Sequence, residues 1–257
     1  MCVLFLTRVS HPPDGAWHHR LWVVQRFKVD YEHELNLCKL LLTEDQRNFH
    51  CWCYRRAVVH IGGITAADEF AYSTEKIEEN FSNYSAFHHR SVFFRTLTSA
   101  HSSSSSSSSG GGVGEDTQRM LEEELLLVEN AVYTEPDDQS AWWYHQFLLK
   151  WSAQQCTAAA AAASADAWAW YRGVLQGQVR MVRDLLALDD GCKWALSALA
   201  MLLAGLLDLH HAGNSGDAVD SEALRAEHDA LLERLCTVDP DHANRYRHLL
   251  RQRQRQL

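Results

Sequence analysis

A repeated pair of side chains, an aromatic residue followed three positions later by a basic one, most strongly limits what this chain can fold into. Four units carry it, as Trp17 with Arg20, Trp52 with Arg55, Phe87 with Arg90, and Trp142 with His145. A fifth, weaker unit centres on Trp194. The first three aromatic residues follow one another at intervals of 35 residues (positions 17, 52 and 87), a period typical of stacked helical repeats.

Two longer intervals, from 87 to 142 and from 142 to 194, contain low-complexity insertions. Residues 102–114 consist almost entirely of serine and glycine, which offer little to pack, and this composition predicts a disordered loop. Residues 156–165 are rich in alanine, a strong helix former that buries little surface. The second insertion is therefore predicted to be a loop or an overlong helix end.

Between the marker residues, apolar side chains at helical spacing predict a first helix in each unit, for example over residues 31–43 and 121–133. Each second helix follows a short polar turn. In these turns Asn48, Asn83 and Asp138 lie four residues before the marker, where they are predicted to cap the helix. The sequence therefore predicts an all-α fold, a right-handed α–α superhelical solenoid of antiparallel helix pairs, with a single domain over residues 1–257.

The marker residues are predicted to be structural rather than catalytic. Positions three or four apart share one helix face, so the ring can wedge between helix pairs while the basic group reaches a carboxylate or a helix-end carbonyl. A solenoid needs this same contact in every unit. The tetratricopeptide repeat has a similar period of about 34 residues, but its Trp-x-x-Leu-Gly-x-x-Tyr pattern is absent from this chain.

Composition argues against several classes of partner. The chain has 33 acidic and 24 Lys or Arg residues and a formal net charge of −9, so it lacks the basic field that binding nucleic acid requires. Its longest apolar run, Ala195–Leu207, is too short to cross a bilayer. The seven scattered cysteines indicate free thiols in a reducing compartment. These features predict a cytoplasmic protein without a membrane span.

Three segments resemble the α-subunit repeat of protein prenyltransferases, the family of farnesyltransferase and the two geranylgeranyltransferases. They are residues 47–56, which include Asn48-Phe49-His50-Cys51-Trp52, residues 80–85 and residues 138–145. Their order is similar to that in the Rab geranylgeranyltransferase branch, and Trp17 to Arg20 fits the unit before them. The resemblance covers about residues 15–250.

The resemblance is incomplete at the start of the chain. In the family, the unit containing Trp17 begins with a Pro-Lys-x-Tyr segment that follows at least one further helix pair. Here Pro12-Pro13-Asp14 stands at that place. The lysine that the family uses near the isoprenoid diphosphate is therefore missing, and we expect that the sequence lacks an upstream repeat. An enzyme that works without this lysine is the alternative.

The resemblance implies a subunit of a heterodimeric enzyme that is inactive alone. A β subunit would hold the catalytic zinc, and this chain would hold no cofactor. The heterodimer would transfer geranylgeranyl from geranylgeranyl diphosphate to C-terminal cysteines of Rab GTPases, with a Rab escort protein. A helical-repeat scaffold, or a degenerate prenyltransferase-like protein without transferase activity, remains the alternative.

His50 is the one residue for which the resemblance implies a role in the reaction. The matching unit of farnesyltransferase reads Asn-Tyr-His-x-Trp and turns its aromatic residue and histidine toward the active site across the subunit boundary; Phe49 takes the aromatic place here. A histidine at a helix N-terminus can donate a hydrogen bond to a diphosphate. An ordinary surface histidine is the other interpretation. No metal site is predicted, because adjacent histidines such as His18-His19 point about 100° apart on a helix.

Overall fold

A computed structural model describes residues 14–27, 29–104, 113–160, 165–213 and 220–254 of the chain. Apart from short turns, these residues form helices. In chain order the helices are α1 (Asp14–Arg26), α2 (Tyr31–Glu44), α3 (Phe49–Gly62), α4 (Ala66–Glu79), α5 (Tyr84–Ser104), α6 (Glu115–Thr134), α7 (Gln139–Ala160), α8 (Ala165–Leu188), α9 (Lys193–His211), α10 (Ser221–Val238) and α11 (Ala243–Gln254).

The contacts divide the chain into two compact units, Met1–His101 and Ser102–Leu257, and each is described by itself. In unit 1, α2 packs on α3, α4 packs on α5, and α1 packs on α3. In unit 2 the packed pairs are α6 with α7, α8 with α9, and α10 with α11. The predicted all-α fold of helix pairs is confirmed. The single domain over the whole chain stays a prediction.

The turns that join the helices of a pair are fixed by Asn and Asp side chains. The Oδ1 atom of Asn48 accepts a hydrogen bond from the Cys51 N–H at 2.9 Å, which satisfies a free donor in the first turn of α3. Asn83 does the same for the Ala86 N–H of α5 at 3.1 Å, and Asp138 for the Ser140 N–H of α7 at 2.7 Å. The three predicted caps are thus confirmed.

Two tryptophan markers, Trp52 and Trp142, tie their helices to the turns that precede them. The Trp52 indole Nε1 donates to the Gln46 carbonyl at 2.9 Å, and that of Trp142 donates to the Pro136 carbonyl at 2.9 Å. In both cases the acceptor lies six residues earlier. Phe87 fills the same position without a donor and is fully buried. The aromatic body therefore serves packing, and the indole nitrogens of Trp52 and Trp142 add a link to the turn.

The two low-complexity insertions are partly helical. Helix α5 continues through Ser104 into the Ser/Gly segment 102–114, and α6 begins at Glu115. Residues 105–112 lie outside the described residues, so the disordered loop stays a prediction. Helix α7 continues to Ala160, so at least the first half of the Ala-rich segment 156–165 extends a helix, which is one of the two predicted outcomes. Residues 161–164 again lie outside the described part.

Helix α9 is the core helix of unit 2. By length and composition alone it could cross a membrane, but 56% of its most apolar window is buried inside the protein. Leu196 and Ala200 pack against Leu232, Leu235 and Tyr246 of α10 and α11. Its hydrophobicity is therefore accounted for by packing between helix pairs.

Candidate functional site

Four of the five predicted marker aromatics lie in the cores of the two units. The exposed fractions are 6% for Trp17, 2% for Trp52, 0% for Phe87 and 2% for Trp142. Trp194, the marker of the weaker unit, is half-buried, and its indole donates to the Asp137 carbonyl at 3.0 Å. This burial supports the predicted packing role of the aromatic markers.

A buried carboxylate joins helices α1, α2 and α3 of unit 1. Glu34 of α2 accepts two hydrogen bonds from the Arg20 guanidinium of α1, at 2.7 and 2.9 Å, and a third from the Tyr54 hydroxyl of α3 at 2.6 Å. Arg20 and Glu34 are 5% and 6% exposed. Glu34 of α2 is thus bound both by α1, the second helix of the preceding repeat, and by α3, the second helix of its own repeat.

The same arrangement recurs one repeat later. Glu69 of α4 accepts from Arg55 of α3 at 2.8 and 2.5 Å, and its Oε2 lies 2.8 Å from Nε2 of His89 on α5. Burial would raise the pKa of Glu69, but the hydrogen bonds from His89 and Arg55 outweigh it and hold the pKa below its ordinary value. Burial lowers the pKa of His89, so a neutral imidazole donates to a carboxylate whose charge Arg55 already balances.

Arg90, the third predicted basic marker, uses other acceptors within unit 1. It donates to the Phe70 carbonyl at 3.0 Å and to the hydroxyls of Ser73 and Thr74 at 3.0 and 2.7 Å. Its guanidinium also lies 3.6 Å from the centre of the Phe70 ring. This arginine therefore fastens α5 to α4, which agrees with a packing role.

Unit 2 repeats the pattern with weaker charges. The Tyr144 hydroxyl of α7 donates to Glu124 of α6 at 2.5 Å. The Nε2 atom of His145 lies 2.9 Å from the amide oxygen of Gln178 on α8, whereas Arg20 and Arg55 of unit 1 pair with a carboxylate. Complete burial lowers the pKa of His145 to about 4, only partly opposed by Gln178.

Reasoning from the sequence did not single out these acceptors. The signal that marks them is a spacing of 14 residues from Arg20 to Glu34 and from Arg55 to Glu69. A second spacing of 20 residues runs from Glu34 to Tyr54, and from Glu69 to His89. The 20-residue spacing recurs in unit 2 from Glu124 to Tyr144, whereas His145 and Gln178 are 33 residues apart.

His50 lies on the surface, in the first turn of α3. It is exposed, unlike Trp52 two positions later, and its ring meets that of Phe49 edge-on with 5.6 Å between centres. Phe49 itself is 68% exposed. Both border a groove of about 360 Å³ between α1 and α3, which is also lined by Trp17, His18, Leu21, Cys53 and Tyr54.

The surface beside His50 carries positive charge. Arg56 donates to the Cys53 sulfur at 3.2 Å, and burial together with the charge of Arg56 lowers the pKa of His88 on α5. The His88 ring stacks on Tyr84, which is 38% exposed, with 6.3 Å between ring centres. His50 is exposed at the capped start of α3, and the half-buried Arg56 lies in the middle of the same helix, so this surface can receive an anion.

In the part of the chain that the structure describes, no group of three His, Cys, Asp or Glu side chains could hold a metal ion. His88 and His89 illustrate the reason: one is half-buried beside Tyr84, and the other is buried against Glu69. Neighbouring histidines on a helix face different surroundings.

The protein prenyltransferase alpha subunit repeat matches residues 31–61, 66–97 and 121–152, the segments of α2–α3, α4–α5 and α6–α7. The chain is 43% identical over 91 residues to "Geranylgeranyl transferase type-2 subunit alpha" of Rattus norvegicus, which covers 35% of this chain and 16% of that protein. It is 45% identical over 83 residues to the protein of that name from Saccharomyces cerevisiae, covering 29% and 25%. The chain thus matches a quarter or less of these relatives' length.

Solved structures extend the similarity of fold beyond these segments. "Candida albicans protein geranylgeranyltransferase-I complexed with GGPP" superposes with a TM-score of 0.58 over 91% of this chain and 65% of that one. The two sequences are 17% identical, so this likeness shows the fold alone.

Proposed function

We propose that this chain, three segments of which match the protein prenyltransferase alpha subunit repeat, is the α subunit of a heterodimeric Rab geranylgeranyltransferase. The identity of 43% over 91 residues to α subunits of the type-2 enzyme carries the assignment. In this proposal the heterodimer transfers geranylgeranyl to C-terminal cysteines of Rab proteins that an escort protein presents.

The chemistry divides between the two subunits in this proposal. A zinc ion on the β subunit would lower the pKa of the substrate thiol, and the thiolate would displace diphosphate from the isoprenoid. This chain supplies the helix pairs of its two units and the positive edge beside His50. Cationic groups at that edge would stabilise the diphosphate as it leaves. The absence of a three-ligand group among the described residues is compatible with this division.

Reconstitution tests the proposal. We expect this chain to form a one-to-one complex with a type-2 β subunit, and the purified complex to transfer geranylgeranyl to a Rab protein in the presence of escort protein. Neither subunit alone should be active. If the β subunit does not associate, the alternative of a helical-repeat scaffold is favoured. Zinc-dependent transfer by this chain alone, with no β subunit detectable by mass spectrometry, would overturn the subunit assignment.

His50→Ala in the reconstituted heterodimer is expected to slow prenyl transfer and to leave assembly intact. An exposed side chain beside the α3 N-terminus contributes little to packing, whereas a lost charge-assisted hydrogen bond of about 1.5–3 kcal/mol corresponds to a roughly tenfold to hundredfold lower rate. Single-turnover rates and gel filtration separate the two effects.

His60→Ala provides a matched control for this variant, because His60 is an exposed histidine in the last turn of the same helix. It should transfer at the unsubstituted rate. Equal rates for His50→Ala and His60→Ala would remove the role of His50 in the reaction.

A further inference from the structure

Unit 2 carries a groove that the proposed function does not use. It lies between α8 and α10, has a volume of about 400 Å³ and is floored by α9. The floor is apolar, formed by Leu203, Leu206 and Leu209, which are 0%, 8% and 5% exposed. Leu203 is therefore inaccessible, and the apolar surface open to the groove is the small part left by Leu206, Leu209 and the half-buried Leu224 of α10.

The rim of this groove is positively charged. Arg172, Arg180 and Arg183 of α8 line it, and no acidic residue among those the structure describes does. This is a local excess of positive charge on a chain whose formal net charge is −9. Arg183 reaches Glu227 of α10 at 2.6 Å, but both side chains are exposed, at 48% and 36%. Exposed ion pairs are weak, so a carboxylate from outside can take the place of Glu227 at little loss.

Two glycines of α8 lie beside this rim, one turn apart. A Cβ atom at Gly173 would meet nothing within 4 Å, and one at Gly177 would meet only Arg180 Nη2 at 3.8 Å. Glycine inside a helix destabilises it relative to alanine, and neither position needs a glycine for packing within the described chain. A missing side chain does allow the backbone of another molecule to come close.

We propose that this groove, with Gly173 and Gly177 beside it, is a docking site for an amphipathic helix of a partner protein that carries acidic residues next to its apolar stripe. The apolar side chains of that helix enter the groove and contact the leucine floor. Its carboxylates pair with the guanidinium groups of α8. Its backbone passes over Gly173 and Gly177. The arginines disfavour a basic helix at the same place.

A designed helical peptide tests the charge requirement. The probe carries leucines at positions i, i+4 and i+7 with glutamates beside them, and its control has lysines in place of the glutamates. By fluorescence anisotropy at low salt, we expect the complete chain to bind the glutamate peptide, with affinity falling as salt rises, and not the lysine peptide. Arg180→Glu should lower the affinity for the glutamate peptide at least about tenfold and allow the lysine peptide to bind. Arg119→Glu, at an exposed arginine of α6 with the same change in net charge, should alter neither.

The glycines separate docking from folding. Gly173→Leu with Gly177→Leu should keep or raise the midpoint of thermal unfolding, because leucine favours a helix more than glycine does. The same variant should no longer bind the glutamate peptide, because the new side chains occupy the surface over which the backbone of the peptide passes. If this variant still binds the glutamate peptide, the proposed passage of the partner backbone over Gly173 and Gly177 is wrong. Absence of any binding by the glutamate peptide, or equal binding of both peptides, overturns the proposal.

Discussion

Glu69→Ala is expected to lower the free energy of unfolding of the chain by about 3–5 kcal/mol, because it leaves the charge of Arg55 buried without its partner. Arg55 is 5% exposed and Glu69 is 1% exposed, so water cannot replace the lost carboxylate. His89 loses its acceptor in the same step. Urea denaturation at pH 7, followed by far-ultraviolet circular dichroism, measures the change.

Two comparisons show whether charge burial causes this loss. Glu75→Ala removes an exposed acid of the same helix that pairs with Lys39 at 2.7 Å, and it should cost only about 0–1 kcal/mol. Arg55→Met combined with Glu69→Met removes both buried charges and should recover much of the stability lost in Glu69→Ala. The assignment fails if Glu69→Ala costs no more than Glu75→Ala.

The parts of the fold that the sequence predicted are those that depend on local interactions. The cap residues Asn48, Asn83 and Asp138 act within one helical turn, so a short window contains all the information. The aromatic markers recur because the ring at this position of the second helix is buried in unit after unit. Trp52 and Phe87 are accordingly both buried, although only one can donate a hydrogen bond.

The acceptors at the helix-pair junctions were harder to predict, because their partners are brought together by packing rather than by sequence proximity. Glu34 and Glu69 look like ordinary exposed acids of amphipathic helices until their partners 14 and 20 residues away are known. His50 is the opposite case. His50 lies exposed in the first turn of α3. The group that it would contact in the proposed complex, the diphosphate, is not part of this chain, so the sequence of this chain does not contain that contact.

His145 shows where equating residues across repeats goes wrong. The sequence pattern treats it as a basic partner like Arg55, which is expected to reach a carboxylate or a helix-end carbonyl. The structure places it, fully buried, against the side-chain amide of Gln178. Its Nε2–H donates to that amide oxygen, and its Nδ1 has no hydrogen-bond partner among the described residues. A neutral ring suits this site, and a protonated ring does not.

Acidification is therefore expected to destabilise the chain through His145. The pKa of this histidine is about 4 in the folded protein and about 6.5 in the unfolded chain, so between these values the unfolded state binds more protons. The contribution of His145 to stability is complete above pH 6.5 and is lost as the pH falls to about 4. At about 1.4 kcal/mol per pH unit, the loss is on the order of 3 kcal/mol.

His145→Gln isolates this contribution, because glutamine keeps a polar side chain but cannot titrate. The variant should be less stable than the original at pH 7, because the substitution removes the packing contacts of the buried ring. Its free energy of unfolding should nevertheless fall less steeply between pH 6.5 and 4.5. Carboxylates titrate near the lower end of this range in both proteins, so the difference between the two slopes, rather than either slope alone, reports on His145. Parallel curves would show that the buried ring is not the proton acceptor, and that the acid sensitivity of unit 2 lies elsewhere.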